Sequence, residues 1–175
     1  MASNRHLGRI IALQTLYEQD FRRASQDVSF DLDEVLHRNV ARYEAMVDDK
    51  AFIDALVRGV SKKEKELDDE LQPIAPEWPI DQIARMDRVI LRMGLYELRY
   101  GKDAPPKVVI NEAVELAKAF GSENSSKFIN GVLGTALRKI EGTDEKPADA
   151  KETKTAEAAA QKDSSPKSKP AEKHA

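Results

Sequence analysis

KVVINEAVELAKAFGSENSSKFINGVL, residues 107–133, joins two dissimilar helices through a short polar hinge, and its reading decides the fold. Ile110, Ala113, Val114 and Ala117 recur at i, i+3, i+4 and i+7, with Val109, Leu116 and Phe120 widening the stripe, so the first segment is an amphipathic helix. Gly121 ends it. Downstream, Ile129, Val132, Leu133, Ala136, Leu137 and Ile140 form a second stripe of the same period. Phe128 sits off that stripe: at about 100° per residue it lies roughly 110° from the stripe's centre. A large aromatic off the core face, beside Lys127 and after the polar run GSENSS, reads as a binding surface and not as a reaction centre.

Outward from this stretch, every long apolar pattern has a period near 3.6 and none alternates strictly, which predicts an all-α fold. A first helix spans about Asn4 to Arg22 with Leu7, Ile10, Leu13, Tyr17 and Phe21 inward, and a second spans about Leu32 to Tyr43. Phe52, Ile53, Leu56, Val57 and Val60 give a third face that Leu67 and Leu71 continue, with KKEKE at 62–66 as its solvated side. Pro73 and Pro76 break the chain, and QPIAPEWPID at 72–81 forms a hinge at whose junction Trp78 packs. Met86, Val89, Ile90, Met93, Tyr96 and Tyr100 mark the next helix, ending near Gly101, and Pro106 precedes the helix quoted above. The body therefore covers residues 1–141 in two halves, about 1–72 and 79–141. From Gly142 onward no aromatic or branched aliphatic residue occurs, so residues 142–175 are expected to be a disordered tail.

Composition removes several classes of function. With 41% hydrophobic and 34% charged residues, the chain has enough apolar material for one ordinary core or two small ones. No apolar run approaches the roughly 20 residues of a membrane span, and MASNRHLGR lacks the apolar block of a secretory signal, so a cytoplasmic protein is expected. The absence of cysteine excludes disulfides, thiolate metal sites and a cysteine nucleophile; His6, His37 and His174 have no metal-ligand spacing, and neither metal nor cofactor is expected. The acid pairs Asp48–Asp49 and Asp68–Asp69 do not face each other on a helix and have no nucleophile beside them, which argues against an enzyme. The net charge of -3 lies entirely in the body, because the tail's seven acids and seven lysines cancel. Any site for an anion must be a local patch.

RHLGRIIALQTLYEQD at 5–20, FIDALVRGV at 52–60, RMDRVILRMGLYEL at 85–98, and INEAVELAKAFG followed by KFINGVL together resemble the NusB family, in order and in spacing. The resemblance implies a bundle of about seven helices in two subdomains and a binding protein without catalysis. It further implies transcription antitermination: recognition of the single-stranded boxA element in the leader RNA of ribosomal RNA operons, together with NusE, a small-subunit ribosomal protein, within the antitermination complex of RNA polymerase. Family members differ in oligomeric state, so a homodimer burying the same face stays open.

On this resemblance the RNA-binding candidates are Arg5, His6, Arg9, Tyr17, Asn124, Lys127 and Phe128. Arg5 and Arg9 lie one turn apart on a single flank of the first helix, suited to phosphate. His6 stands where a second arginine is common, and Gly8 where alanine is common; Gly8 costs that helix roughly 1 kcal/mol. Tyr17 falls near the centre of the apolar stripe, where core packing competes with presenting its hydroxyl at a surface. Phe128 offers a ring for a splayed base with Lys127 for the adjoining phosphate; a contact with the first helix is the competing reading. Gly131 and Gly134 either leave backbone accessible or serve close helix packing. Ser122, Asn124, Ser125 and Ser126 have side chains for capping and for base edges. For the NusE surface the candidates are Asp81 and Asp87, which also suit helix N-terminal positions on dipole grounds.

Overall fold

The computed structural model describes residues 4–143, and among these the chain forms seven α-helices and no strand: α1 (Arg5–Ala24), α2 (Leu32–Ala41), α3 (Lys50–Lys62), α4 (Glu64–Leu71), α5 (Arg85–Tyr100), α6 (Pro106–Phe120) and α7 (Ser125–Glu141). The expected tail lies outside the described residues beyond Thr143. Local chemistry sets several boundaries. Asp31 starts α2 by accepting a hydrogen bond from the Glu34 amide at 3.0 Å, and Asp49 starts α3 by accepting one from Phe52 at 2.9 Å. Pro106 occupies the first turn of α6, where its missing N–H is harmless. Gly142 ends α7 in the left-handed region (φ 69°), and the Thr143 amide returns to the Arg138 carbonyl at 2.9 Å.

α5 is the centre of the molecule. It packs against α1, α3 and α4 on one side and α6 and α7 on the other. Val89, Ile90, Leu91, Met93 and Leu95 are all buried, so the helix is covered around its circumference and not along one stripe. Two glycines permit this crowding. A Cβ on Gly59 of α3 would lie 2.1 Å from the ring of Tyr96, and one on Gly94 would lie 2.6 Å from Leu133 of α7. Between α4 and α5, the Gln72 side chain donates to the Trp78 carbonyl at 2.9 Å and accepts from the Ile80 amide at 2.8 Å, while Trp78 is half-buried against the core.

Three expectations change in the folded chain. The inward face of α1 is broader than the stripe read from sequence: Ile11, Ala12, Leu13 and Leu16 are buried, Leu7, Ile10 and Tyr17 are half-buried, and Phe21 is 50% exposed. The cause is that α1 lies between α2 and α3 on one flank and α5 on another, which leaves Phe21 at the edge under the Arg85 guanidinium, 5.1 Å from its centroid. Tyr100 and Phe120, the last residues of α5 and α6, are likewise 44% and 41% exposed because they lie past the end of the core. The third helix read from sequence is two, α3 and α4, divided at Lys63. The break turns α4 so that Asp68 accepts two hydrogen bonds from Arg92 at 2.7 and 2.8 Å while Leu67 and Leu71 stay buried. Arg92 also joins Arg85 and Arg88 in donating to Asp20, at 3.1, 2.6 and 2.7 Å, which fixes the end of α1 to the start of α5.

Candidate nucleic-acid interface

The beginning of α1 carries Arg5, His6 and Arg9, and each of them meets an acid. Arg5 contacts Asp49 of the α3 cap at 3.1 Å and Asp103 of the α5–α6 connection at 3.5 Å. The exposed His6 places Nδ1 2.7 Å from Glu112 of α6. Arg9 is only 3% exposed and donates to both carboxylate oxygens of Glu97 on α5, at 2.9 and 2.7 Å, with Glu112 at 3.7 Å. Arg5 and Arg9 also both lie over the Phe52 ring, 4.7 and 5.1 Å from its centroid. Gly8 is buried against Phe52 and Ile53, where an added Cβ would meet them at 3.3 and 3.2 Å. The glycine that costs helix propensity therefore also gives α1 a close seat on α3.

The other candidates gather at the opposite end of α5. Tyr17 is half-buried with Arg85 5.8 Å from its ring centroid. Between α6 and α7 the connector closes on itself: the buried Ser125 hydroxyl accepts from the Ser122 amide at 2.8 Å and lies 3.0 Å from the Ser122 hydroxyl. The Asn124 side chain does not cap α7 and stays exposed, as does Lys127, which forms no ion pair among the described residues. Phe128 is half-buried: its ring rests on the core and keeps part of its surface open. Gly131 faces open space, and Gly134 has only the Arg138 guanidinium near it, at 3.7 Å from an added Cβ. No neighbouring helix packs on these two glycines, so close helix packing does not account for them.

Asp81 and Asp87 do not share a surface. Asp81 is exposed in the short turn Ile80–Gln82, with its carbonyl accepting from Arg88 at 3.1 Å. Asp87 is buried in the first turn of α5, with one carboxylate oxygen lacking a partner among the described residues. Burial pushes its carboxyl above the usual range, against a smaller opposing effect of the Ser125 hydroxyl.

Arg5 and Tyr17 are separated by about 18 Å along α1, at a rise of about 1.5 Å per residue. One group, Arg5 with His6 and Arg9, lies where the end of α5 meets α6. The other, Tyr17 with Asn124, Lys127 and Phe128, lies by the start of α5, through Arg85 and through Ser125 beside Asp87. Four side chains of this site were not assigned to it from the sequence: Glu97, Asp103, Glu112, and Phe52, which was read only as part of an apolar face. Glu97 had a usable signal, as an acid inside the apolar pattern of α5; the others become partners only through tertiary contact. Among the described residues no helix is long and apolar enough to cross a membrane, and no group of acids and histidines has a metal-binding arrangement.

Comparison with known proteins places this geometry among close relatives. A model of the NusB family matches residues 6–138. Transcription antitermination protein NusB of Chloroflexus aggregans is 41% identical over 141 residues, covering 79% of this chain and 90% of the relative. The Geobacter sulfurreducens protein of the same name is 43% identical over 129 residues, covering 74% and 90%. Among solved structures, T. maritima NusB superimposes with a TM-score of 0.70 at 31% identity, covering 79% of this chain and 94% of that one. A crystal structure of antitermination factors NusB and NusE in complex with dsRNA matches with a TM-score of 0.69 at 26% identity, covering 79% and 99%.

Proposed function

The chain belongs to the NusB family of transcription antitermination proteins, and from that premise we propose that it binds the boxA element of ribosomal RNA leader transcripts together with NusE. In this reading it works in the cytoplasm within the antitermination complex of RNA polymerase, and it binds without catalysing a reaction. The observation that carries the proposal is the start of α7. There Asn124 and Lys127 are exposed and uncommitted to any cap or ion pair among the described residues, beside the partly open ring of Phe128. A base stacked on that ring would place its phosphate within reach of the Lys127 ammonium, and the bare backbone at Gly131 lets the strand come close.

Arg5 and His6 extend the path along α1 toward its beginning, and Tyr17 belongs to the same end of α5 as Lys127 and Phe128. Arg9 serves the surface from beneath, since its buried pair with Glu97 holds α1 on α5. On the protein side, the exposed Asp81 is a contact for a basic NusE, whereas the buried Asp87 is out of reach of a partner. The test is a titration of labelled boxA-type RNA against the protein alone and with NusE, beside a scrambled RNA and the variants Lys127→Glu and Phe128→Ala. Selective binding that NusE strengthens and both variants weaken is the expected result. If neither RNA binds in any mixture while the protein self-associates, the RNA reading fails and a homodimer through this face replaces it.

A further inference from the structure

Of the four acids that face Arg5, His6 and Arg9, two also hold the fold: Asp49 caps α3, and Glu97 is buried against Arg9. Asp103 and Glu112 do neither. The Asp103 side chain is 71% exposed, and its ion-pair partner among the described residues is Arg5 at 3.5 Å. Glu112 reaches out from the middle of α6 to His6 at 2.7 Å and to Arg9 at 3.7 Å. The exposed Arg5–Asp103 pair contributes little to stability, and although Glu112 is half-buried, Arg9 keeps its two closer hydrogen bonds to Glu97, so these two carboxylates matter chiefly to whatever else approaches Arg5 and His6.

We propose that Asp103 and Glu112 are affinity- and specificity-determining residues for RNA, acting as built-in competitors of phosphate for Arg5 and His6; the inference rests on the RNA-binding function proposed above. A strand that meets only the start of α1 has to displace a carboxylate for each phosphate contact it gains. A strand also held at Lys127 and Phe128 brings its phosphates up at high local concentration and displaces them readily. Arbitrary RNA is thereby rejected more strongly than the correct element. The surroundings of Asp103 suit such an exchange. It lines an open cavity of about 290 Å³ with Arg5, Phe52, Tyr100 and Lys102, which leaves the carboxylate room to swing aside. Lys102, without an ion pair among the described residues, stands on the same cavity ready to share an incoming phosphate.

The test uses the full chain with NusE, a labelled boxA-type RNA and a scrambled RNA, and the variants Asp103→Asn, Glu112→Gln and their combination. Each single neutralisation is expected to raise affinity for the scrambled RNA by about two- to fivefold at low salt, with a smaller gain for the boxA-type RNA. In the double variant the plot of log affinity against log salt becomes steeper, by about 0.7 for each further phosphate engaged. Glu77→Gln removes an exposed, unpaired acid elsewhere and controls for net charge. Unchanged or weaker binding to scrambled RNA by correctly folded variants overturns the proposal, and so does an equal gain from Glu77→Gln. Failure of the unaltered protein to bind boxA-type RNA with NusE strikes the proposed function instead, which keeps the two failures distinct.

Discussion

Glu97→Gln isolates the one buried ion pair between α1 and α5. In the folded protein Arg9 is 3% exposed and both carboxylate oxygens of Glu97, itself 8% exposed, accept from it. Removing the negative charge strands a guanidinium away from water, with Glu112 at 3.7 Å too distant to replace a two-bond partner. Breaking a buried pair by deleting one member costs about 3–5 kcal/mol. For a domain of this size that lowers the thermal midpoint by roughly 10–20 °C. The double variant Arg9→Met/Glu97→Leu removes both charges and fills the space with apolar groups, so it is expected to melt near the unaltered protein or above it. Far-UV circular dichroism on heating, repeated as a urea titration, reads both effects. A Glu97→Gln midpoint within about 2 °C of the original would refute the claim that this pair holds α1 in place. The double variant also tests Arg9 against RNA, because retained boxA affinity in a stable protein means that Arg9 acts by positioning α1.

Three further outcomes follow from the geometry. Gly131→Ala replaces a mid-helix glycine facing open space and should raise stability by about 1 kcal/mol in denaturant titration; unchanged RNA affinity in this variant would remove the close backbone approach from the proposed path. Asn124→Asp places a negative charge at the uncapped start of α7 and should stabilise the helix by roughly 0.3–1 kcal/mol while weakening RNA binding; equal affinity at low salt would show that no phosphate passes this loop. The third concerns pH. The Asp49 carboxyl is held below the usual range by the Phe52 amide and by Arg5, with burial opposing. Burial also opposes at Asp20, yet hydrogen bonds from Arg85, Arg88 and Arg92 outweigh it and hold that carboxyl low as well. Both stabilise the fold above the ordinary carboxylate range, and their contribution disappears as pH falls through their lowered values. Asp87, pushed up by burial, has the opposite sign: it opposes folding at neutral pH, and the penalty fades as pH falls through its raised value. Asp87→Asn should therefore melt higher than the original protein near neutrality and converge with it in acid; a lower midpoint at every pH would contradict this.

Helix positions were legible wherever spacing and punctuation agreed. Pro106, Gly121 and the stripe from Ile110 to Ala117 locate α6 almost to the residue, and Gly101 does the same for the end of α5. The split at Lys63 had no such signal, since no proline or glycine marks it and the apolar spacing runs through from Val60 to Leu67. Single-stripe reasoning also misjudged α1 and α5, because a helix touched by several neighbours buries more than one face; Arg9, Asp87, Arg92 and Glu97 then become interior residues despite their charge. At the candidate interface, the exposure of Lys127 and Asn124 was readable from their place after a helix break. Of the acids opposite Arg5, His6 and Arg9, Glu97 alone had a signal, as an acid within an apolar pattern; those at 49, 103 and 112 meet α1 only once the chain has folded.

The partners of α1 on α5 lie far downstream, Glu97 coming 88 positions after Arg9. A ribosome adding about 5–20 residues per second reaches Glu97 roughly 4–18 s after Arg9. For that interval the nascent first helix has neither the carboxylate that will bury Arg9 nor the arginines that will enclose Asp20. We propose that the halves 1–72 and 79–141 are consequently not made ready one after the other. A fragment ending at Gln72 should exchange its α1 amide hydrogens much faster than the full chain does, and the first half would acquire its lasting form only when α5 clears the exit tunnel.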